Sequence, residues 1–208
     1  MAVDYTCYLI TDPDLAGGRE RVVDVVEQAV AGGVTVVQLR DKTAPDEAIE
    51  AQAREILRRV DVPLIINDRV EVAARLGVGV HVGQGDMPLD QVRNLVGPNV
   101  PIGLSVGNMA ELATITDVIP DVIGIGPVWD TATKKDAPAG IGVAGLQDVA
   151  NAAHERGIAS VAIGGVNQGN VAKLAGTGVA GFCVVSAIMA APDPARAAAE
   201  LRAAFEGA

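Results

Sequence analysis

Aromatic residues, cysteines and basic residues are all scarce in this chain of 208 residues. Phe, Trp and Tyr together make up 2% of it, which argues against an aromatic-rich recognition surface. Cys7 and Cys183 are the only cysteines, too few for the disulfide framework of a small secreted domain, so we expect two buried thiols. The net charge of −10 repels nucleic acid and anionic membranes, so a bound anion must rest on a local cluster of cations or backbone amides.

From the sequence we also expect no leader peptide and no continuous membrane-spanning run. It starts MAVDYTCYLI, without a basic start followed by a long apolar stretch, and this predicts a cytoplasmic protein. The segment from Leu174 to Pro192 carries no charge, but Gly176, Gly178 and Gly181 interrupt it. We expect a buried parallel strand, GFCVVSA, flanked by loops.

Hydrophobic residues make up 50% of the chain and gather in short runs separated by helical stretches. Apolar residues three and four apart predict helices over 19–31 and 45–59, and Asp193 and Pro194 open a last helix that ends near Gly207. We expect eight strands: YLITD from Tyr8, TVVQLR from Thr35, PLIIND from Pro63, GVHVG from Gly79, PIGLSV from Pro101, VIGIG from Val122, SVAIGG from Ser160 and GFCVVSA from Gly181.

Eight alternating strands and helices predict an α/β protein with one (β/α)₈ TIM-barrel domain over residues 1–208. Open doubly wound sheets commonly use five or six strands, and no G-x-G-x-x-G turn follows an early strand. The short interval between the third and fourth strands leaves room only for a short helix. The long interval after the sixth strand places WDTATKKDAPAGIG on the face where barrel enzymes carry out their chemistry.

Polar and cationic side chains recur with period two along the second predicted strand. Gln38, Arg40 and Lys42 should therefore share one side at its carboxyl end. Arginine offers bidentate geometry to phosphate and lysine a compact positive charge, so the three suit a bound diphosphate. The alternative is a solvated strand end with ordinary surface cations.

Carboxylates follow the third and fourth predicted strands. Asn67, Asp68 and Arg69 end the third strand, and Asp86 comes shortly after the fourth, behind Gln84 and Gly85. Neighbouring strand ends lie close enough to share one ion, and Mg²⁺ takes one or two carboxylates with water and substrate phosphate oxygens. The sequence therefore predicts a magnesium site completed by substrate, although Asp86 also suits a turn before Met87 and Pro88.

Three later loops carry groups that suit an anion. In the sixth loop, Thr131, Thr133 and Lys134 offer two hydroxyls and an ammonium. The turns Gly164-Gly165 and Val185-Ser186 follow strands seven and eight, the recurrent phosphate-binding corner of such barrels. Glycine there lets backbone N–H groups approach a phosphate closely.

Nucleophiles and bases are few. We expect His81 to be a satisfied structural side chain, His154 to face solvent, and Ser105 and Ser186 to lack the neighbouring base that a serine nucleophile needs. Cys183 lies in an apolar strand and should be inert. The candidate site thus indicates chemistry in which charge stabilisation of a leaving phosphate contributes most.

Eight motifs in order resemble thiamine phosphate synthases from end to end. They are YLITD, QLRDK, IINDR, GVHVGQGD, IGLS, GIGPVWDTATKKD, AIGGV and VVSAI. The resemblance implies an enzyme that joins 4-amino-2-methyl-5-(diphosphooxymethyl)pyrimidine to a thiazole phosphate, with Mg²⁺ as cofactor, to give thiamine phosphate and pyrophosphate. In this family pyrophosphate is thought to leave first, and the thiazole nitrogen then captures the pyrimidinylmethyl cation, so no enzyme nucleophile is needed.

The resemblance also implies roles for individual residues. The metal would be bound by Asp68 and Asp86. The thiazole phosphate would be bound by Thr131, Ala132, Thr133, Gly165, Val185 and Ser186. The pyrimidine diphosphate would be bound by Gln38, Leu39, Arg40, Asp41, Lys42, Asn67, Ser105 and Lys134, with Arg40, Lys42 and Lys134 as the catalytic cations.

Two other functions compete with this interpretation. One is a thiazole tautomerase-like sibling on the same barrel, which would use no diphosphate, and the other is a non-catalytic phosphate-binding regulator. The pairing of Asp68 and Asp86 with Arg40 favours the synthase. The expected partners are two small phosphorylated heterocyclic substrates, without nucleic acid or membrane, and the oligomeric state, including a homo-oligomer, stays open.

Overall fold

The computed structural model, which describes residues 3–131, 133 and 138–208, contains a closed barrel of eight parallel strands. Each strand pairs with its neighbours in sequence order, and β1 pairs with β8 to close the ring. The strands are β1 (Cys7–Ile10), β2 (Val36–Leu39), β3 (Leu64–Asn67), β4 (Gly79–Val82), β5 (Ile102–Val106), β6 (Val122–Ile125), β7 (Ala159–Ala162) and β8 (Gly181–Val184).

Helices surround the barrel and cover its outer face. They are α1 (Pro13–Ala16), α2 (Val22–Ala31), α3 (Asp46–Arg59), α4 (Val70–Leu76), α5 (Leu89–Val96), α6 (Met109–Ala113), α7 (Gly142–Glu155), α8 (Ser186–Met189) and α9 (Pro194–Glu206). Two 3-10 turns, Arg19–Arg21 and Val171–Leu174, complete the described set. The predicted (β/α)₈ fold is therefore confirmed.

The strands divide their side chains between two apolar cores. Inside the barrel a small cluster includes Tyr8, Val36, Ile65, Val122 and Cys183, and a larger cluster fills the layer between strands and helices. Nearly every strand residue is buried, as expected of a parallel sheet covered on both faces. With the inside of the barrel filled, ligands are left to its open ends.

Individual elements follow local sequence signals closely. The short interval between β3 and β4 holds α4, only 7 residues long. The last helix is capped by Asp193, whose carboxylate accepts a hydrogen bond from the N–H of Arg196. The helix expected over 19–31 instead begins with the 3-10 turn Arg19–Arg21, and α2 starts only at Val22.

The uncharged segment 174–192 contains β8, which confirms the predicted buried strand, but the strand ends at Val184 and the short helix α8 follows where a longer strand and a loop were expected. Among the helices of the described residues, none has the length and apolarity required to cross a membrane. Cys7 and Cys183 are free and buried, and burial raises the pKa of the Cys7 thiol to about 12. Both cysteines are thus buried thiols, as expected, and burial disfavours the thiolate form of each.

Candidate active site

The carboxyl ends of β2, β3, β4 and β5 lie side by side in the ring and bring the predicted polar residues to one face. Gln38 of β2 points into the barrel, where its Nε2 donates to the Tyr8 hydroxyl at 2.9 Å. Both side chains are buried, and burial raises the Tyr8 pKa well above its usual value. Gln38 therefore forms part of the floor beneath the open end. Leu39 is buried in the outer core, which leaves only its backbone for a ligand at this face.

Arg40 follows directly after β2 and its backbone is held by Thr11. The Arg40 N–H donates to Thr11 Oγ1 at 2.8 Å, and that hydroxyl is 3.1 Å from the Arg40 carbonyl oxygen. The guanidinium lies 3.9 Å from Asp12 Oδ2, too far for a hydrogen bond. The backbone at Arg40 is therefore fixed, whereas its guanidinium retains its capacity to bind an anion.

Asp41 lies between the two cations and is buried. Its Oδ2 accepts from Arg19 Nε at 2.6 Å, and its Oδ1 accepts from the N–H groups of Thr43 and Ala44 and from the Thr43 hydroxyl. Burial alone would raise the Asp41 pKa, but these hydrogen bonds outweigh it and the pKa lies well below the usual value. The Asp41 carboxylate thus anchors the β2–α3 loop, which leaves its backbone for the predicted diphosphate contact.

Lys42 and Asp68 meet at the mouth of the barrel. Lys42 Nζ lies 2.8 Å from Asp68 Oδ2, although these residues come from different loops. Asp68 follows Asn67 at the end of β3 and has a φ of 61°, a left-handed conformation that is uncommon for a residue other than glycine. Its N–H donates to the His81 carbonyl on β4 at 2.9 Å. The bond between strands fixes the backbone of Asp68 at the edge of the site.

Asp86 lies in the exposed turn after β4. Its Oδ2 accepts from the Gly83 N–H at 2.7 Å, and its own N–H donates to the Gly83 carbonyl at 3.2 Å. Nearby, Gln84 Nε2 donates to the Ser105 carbonyl at 2.8 Å. The turn role considered for Asp86 is therefore present, and it occupies one carboxylate oxygen. The metal role stays a prediction.

The two carboxylates suit a magnesium ion better than a metal held entirely by protein. Within the described ranges, no three His, Cys, Asp or Glu side chains gather in a metal-binding arrangement. The hydrogen bonds and the ion pair described above use only Oδ2 of Asp68 and Oδ2 of Asp86. Each residue therefore offers a further hard oxygen from a neighbouring strand end, and water and substrate oxygens would complete the shell.

A histidine–serine contact at the barrel mouth was missed from the sequence. His81 Nε2 lies 3.0 Å from Ser105 Oγ, so the expectation that Ser105 has no neighbouring base was wrong. His81 is also not a fully satisfied structural side chain, because its Nδ1 is buried without a hydrogen-bond partner in the described part of the chain. Burial lowers the His81 pKa to about 4, against the opposing charge of Asp68. The imidazole is therefore neutral near pH 7.

The contact between His81 and Ser105 can be anticipated from the sequence only once the register of β4 and β5 is known. His81 pairs with Gly103 across the sheet, and Ser105 follows Gly103 with the strand period of two. A Cβ on Gly103 would lie 2.4 Å from His81 Nδ1, so only glycine leaves room for the ring at its present position. Strand register combined with the position of this glycine would have placed Ser105 beside the imidazole.

The loops after β6, β7 and β8 form the other part of the mouth. The backbone N–H groups of Val128 and Trp129 donate to the carbonyls of Ile163 and Gly164, at 2.8 and 3.1 Å, so the start of the sixth loop lies against the end of β7. Trp129 is partly buried and packs against the core. The Thr133 N–H donates to Thr131 Oγ1 at 3.3 Å. The predicted site residues Ala132 and Lys134 lie outside the described residues.

Gly165, Val185 and Ser186 lie at the ends of the adjacent strands β7 and β8. Gly165 has a φ of 69°, and a Cβ there would approach the Trp129 Cβ to 2.8 Å. The site residues thus form two groups around the ring. The diphosphate corner consists of 38–42, 67–68, 84–86 and Ser105, and the phosphate corner consists of 164–170 and 185–186. In the ring β1 lies between β2 and β8 and so separates them.

Comparison with known proteins places this chain in a family. The family model described as thiamine monophosphate synthase matches residues 7–188. A thiamine-phosphate synthase of Chloroflexus aurantiacus is 44% identical over 97% of this chain and 93% of that protein. The structure of a thiamine phosphate pyrophosphorylase from Pyrococcus furiosus matches with a TM-score of 0.83 and 33% identity, covering 99% of this chain and 98% of that one.

A longer relative carries a similar sequence as one part of its length. The thiamine biosynthesis multifunctional protein ThiED of Corynebacterium efficiens is 52% identical over 95% of this chain. The matched stretch is 28% of that protein, so this chain spans less than a third of its relative's length.

Proposed function

The chain belongs to the thiamine monophosphate synthase family, and we propose that it is the transferase that forms thiamine phosphate from a pyrimidine diphosphate and a thiazole phosphate. The observation that carries the proposal is the convergence at the diphosphate corner. Lys42 pairs with Asp68 at 2.8 Å, and Arg40 follows the end of the adjacent strand. In a protein with a net charge of −10, these local cations suit a diphosphate.

In the proposed reaction, the bond between the pyrimidine methylene carbon and the diphosphate oxygen breaks, and its electron pair leaves with pyrophosphate. The lone pair of the thiazole nitrogen then forms the new carbon–nitrogen bond. Arg40 and Lys42 stabilise the negative charge that grows on the leaving group. We assign the same task to Lys134, from its place in the sixth loop.

Because the electron pairs for both bond changes come from the substrates, the proposed reaction requires no enzyme nucleophile or base. The side chains of the site are compatible with such a reaction. The neutral His81 contacts Ser105 at 3.0 Å, and its low pKa makes it a weak base. We assign the Ser105 hydroxyl a binding role beside the diphosphate, with His81 behind it. Gln38 and Asn67 bound the space beneath.

We propose Mg²⁺ as the cofactor, held by Asp68 and Asp86 together with substrate oxygens. When bound, the ion supplies charge neutralisation to the departing pyrophosphate. Asp68 orients its carboxylate through the fixed backbone described above, and Lys42 keeps one of its oxygens paired. In the phosphate corner, we propose that Gly165, Val185 and Ser186 bind the thiazole phosphate together with Thr131, Ala132 and Thr133.

The decisive experiment mixes the purified chain with both substrates and Mg²⁺ and measures pyrophosphate. We expect release only when both substrates and the metal are present. Turnover that survives thorough chelation would contradict the metal assignment, and tautomerisation of the thiazole without pyrophosphate would favour the sibling function. Binding of phosphate without any turnover would favour the regulator.

Three further assignments belong to the same proposal. We propose a single domain over residues 1–208, a cytoplasmic location, and small phosphorylated heterocycles as partners, with the oligomeric state left open. Size-exclusion chromatography with light scattering measures that state directly.

A further inference from the structure

The carbonyl of Gly165 receives two side-chain amides in the phosphate corner. Asn167 Nδ2 and Asn170 Nδ2 each lie 2.9 Å from the Gly165 oxygen. A carbonyl oxygen has two lone pairs, so these two donors saturate it. A pair of neutral donors on one backbone oxygen is more than is needed to close a surface loop.

The two asparagines also fix each other's orientation. Asn170 Oδ1 accepts from the Asn167 N–H at 2.8 Å, and Asn167 Oδ1 accepts from the Gly169 N–H at 2.9 Å. Because each amide oxygen accepts from a backbone N–H, each amide nitrogen must face Gly165. The network therefore assigns the direction of both side chains, and it leaves neither amide free to rotate without losing two hydrogen bonds.

Holding a carbonyl also holds the N–H of the same peptide unit, because the unit is planar and trans. The Gly165 carbonyl belongs to the same peptide unit as the Val166 N–H. The Gly164 carbonyl belongs to the same peptide unit as the Gly165 N–H, and it accepts a hydrogen bond from the Trp129 N–H at 3.1 Å. Each N–H points away from its fixed carbonyl. Among the described residues, neither the Gly165 N–H nor the Val166 N–H has an acceptor.

We propose that Asn167 and Asn170 are positioning residues that orient the Gly165–Val166 peptide unit to bind the phosphate of the thiazole substrate. The inference rests on the proposed function and extends it to residues with no assigned role. Donors on the carbonyl polarise the peptide unit and make its N–H a better donor to an anion. Such a site needs no cation, which accounts for the absence of lysine and arginine from 164–170.

The test measures the dissociation constants of thiazole phosphate and of inorganic phosphate by calorimetry, together with steady-state kinetics. We expect Asn170→Ala to weaken both ligands about tenfold and to raise the KM for thiazole phosphate by a similar factor. The KM for the pyrimidine diphosphate should change less than about twofold, because the diphosphate corner is unaltered.

Two further variants separate positioning from simple stabilisation. Asn170→Asp keeps the acceptor for the Asn167 N–H but removes the donor to Gly165, so we expect it to bind phosphate as weakly as Asn170→Ala or worse. Asp121→Ala serves as the matched control, since Asp121 Oδ2 accepts from the Ile102 N–H at 2.8 Å at the opposite, amino-terminal end of the strands. This control should lower the melting temperature without changing either dissociation constant.

The outcomes are distinct. Tight phosphate binding by Asn170→Asp, or unchanged binding by Asn170→Ala despite a lower melting temperature, overturns the proposal. If the wild-type chain binds phosphate but makes no thiamine phosphate, the proposed function fails while the phosphate measurements still decide the role of the asparagines. When Asn167→Ala, Asn170→Ala and the variant that combines them are compared, a loss of affinity in the combined variant no larger than in either single variant supports a joint action on one carbonyl.

Discussion

The diphosphate corner and the phosphate corner differ in the groups that they offer to the ligands we propose for them. The first presents charged side chains: Lys42 pairs with Asp68 at 2.8 Å, and Arg40 and Asp86 lie in the segments that follow β2 and β4. For the second we propose binding through backbone N–H groups, held by glycine conformation and by the bonds from Asn167 and Asn170 to the Gly165 carbonyl. Charge suits a group that must depart with extra negative charge, whereas fixed neutral donors suit a phosphate that only anchors its substrate.

We expect the largest effect on turnover from substitutions of charged residues in or near the diphosphate corner. Asp68→Asn removes the carboxylate that pairs with Lys42 and that we assign to the metal, and we expect turnover to fall by at least ~100-fold. Lys134→Ala should have an effect of the same order. Pyrophosphate release under saturating substrates measures both. Asp121→Asn, the same chemical change at the amino-terminal end of the barrel, is the control, and a wild-type rate in Asp68→Asn would refute its assigned role.

A second experiment tests the contact that lies inside the diphosphate corner. Gly103→Ala would bring a Cβ to 2.4 Å from His81 Nδ1, so the ring must shift from its present position beside Ser105. We expect a loss of about 1–3 kcal/mol in the free energy of unfolding and about a tenfold lower turnover.

Gly124→Ala is the matched control for this change. Its added Cβ would lie 3.6 Å from His81 Cε1, an ordinary van der Waals distance. Urea unfolding and initial rates should show little change in this variant. Equal losses of stability and turnover in Gly103→Ala and Gly124→Ala would mean that the position of the His81 ring does not determine either quantity.

A third experiment tests Asp41, the buried carboxylate that anchors the β2–α3 loop between Arg40 and Lys42. Asp41→Asn exchanges a buried carboxylate that accepts four hydrogen bonds for an amide, and we expect about 1–3 kcal/mol lower stability at pH 7, with a few-fold lower turnover. Asp24→Asn, which removes an exposed partner of Arg59, should cost less than about 1 kcal/mol.

The effect at Asp41 has a defined pH dependence. Its pKa is lowered on folding, so its stabilisation is fully present above the unfolded value of 3.8 and is lost as the pH falls further. The difference in unfolding free energy between wild type and Asp41→Asn should therefore narrow below about pH 4. A constant difference between pH 7 and pH 3 would contradict the hydrogen-bonded anion.

The smallest expected effect comes from a change in ionic strength, which compares the two corners without any mutation. Raising the ionic strength from about 0.05 M to 0.5 M screens exposed charges, and Lys42 has a side chain that is 59% exposed. We expect the KM for the pyrimidine diphosphate to rise about threefold more than the KM for thiazole phosphate, because the phosphate corner relies on neutral donors. Equal salt dependence would mean that both corners bind mainly by charge.

What can be predicted from the sequence differs between the two corners for a physical reason. Arg40, Lys42 and Asp68 could be selected from the sequence as candidate site residues. They are charged residues at the ends of predicted buried strands, and the strand period of two places them at one edge of the sheet. Asn167 and Asn170 carried no such signal, since asparagine is common in turns and their effect passes through a backbone carbonyl. The contact between His81 and Ser105 required the register of neighbouring strands.

Local sequence alone determined the alternation of strands and helices, the short α4, the cap at Asp193 and the burial of both cysteines, because hydrophobic period and capping act over a few residues. Only the closed ring decided which side chains meet: Lys42 with Asp68, His81 with Ser105, and Asp41 with Arg19. These partners lie between 22 and 26 residues apart along the chain. Contacts at that separation depend on barrel register and packing, which no local pattern encodes.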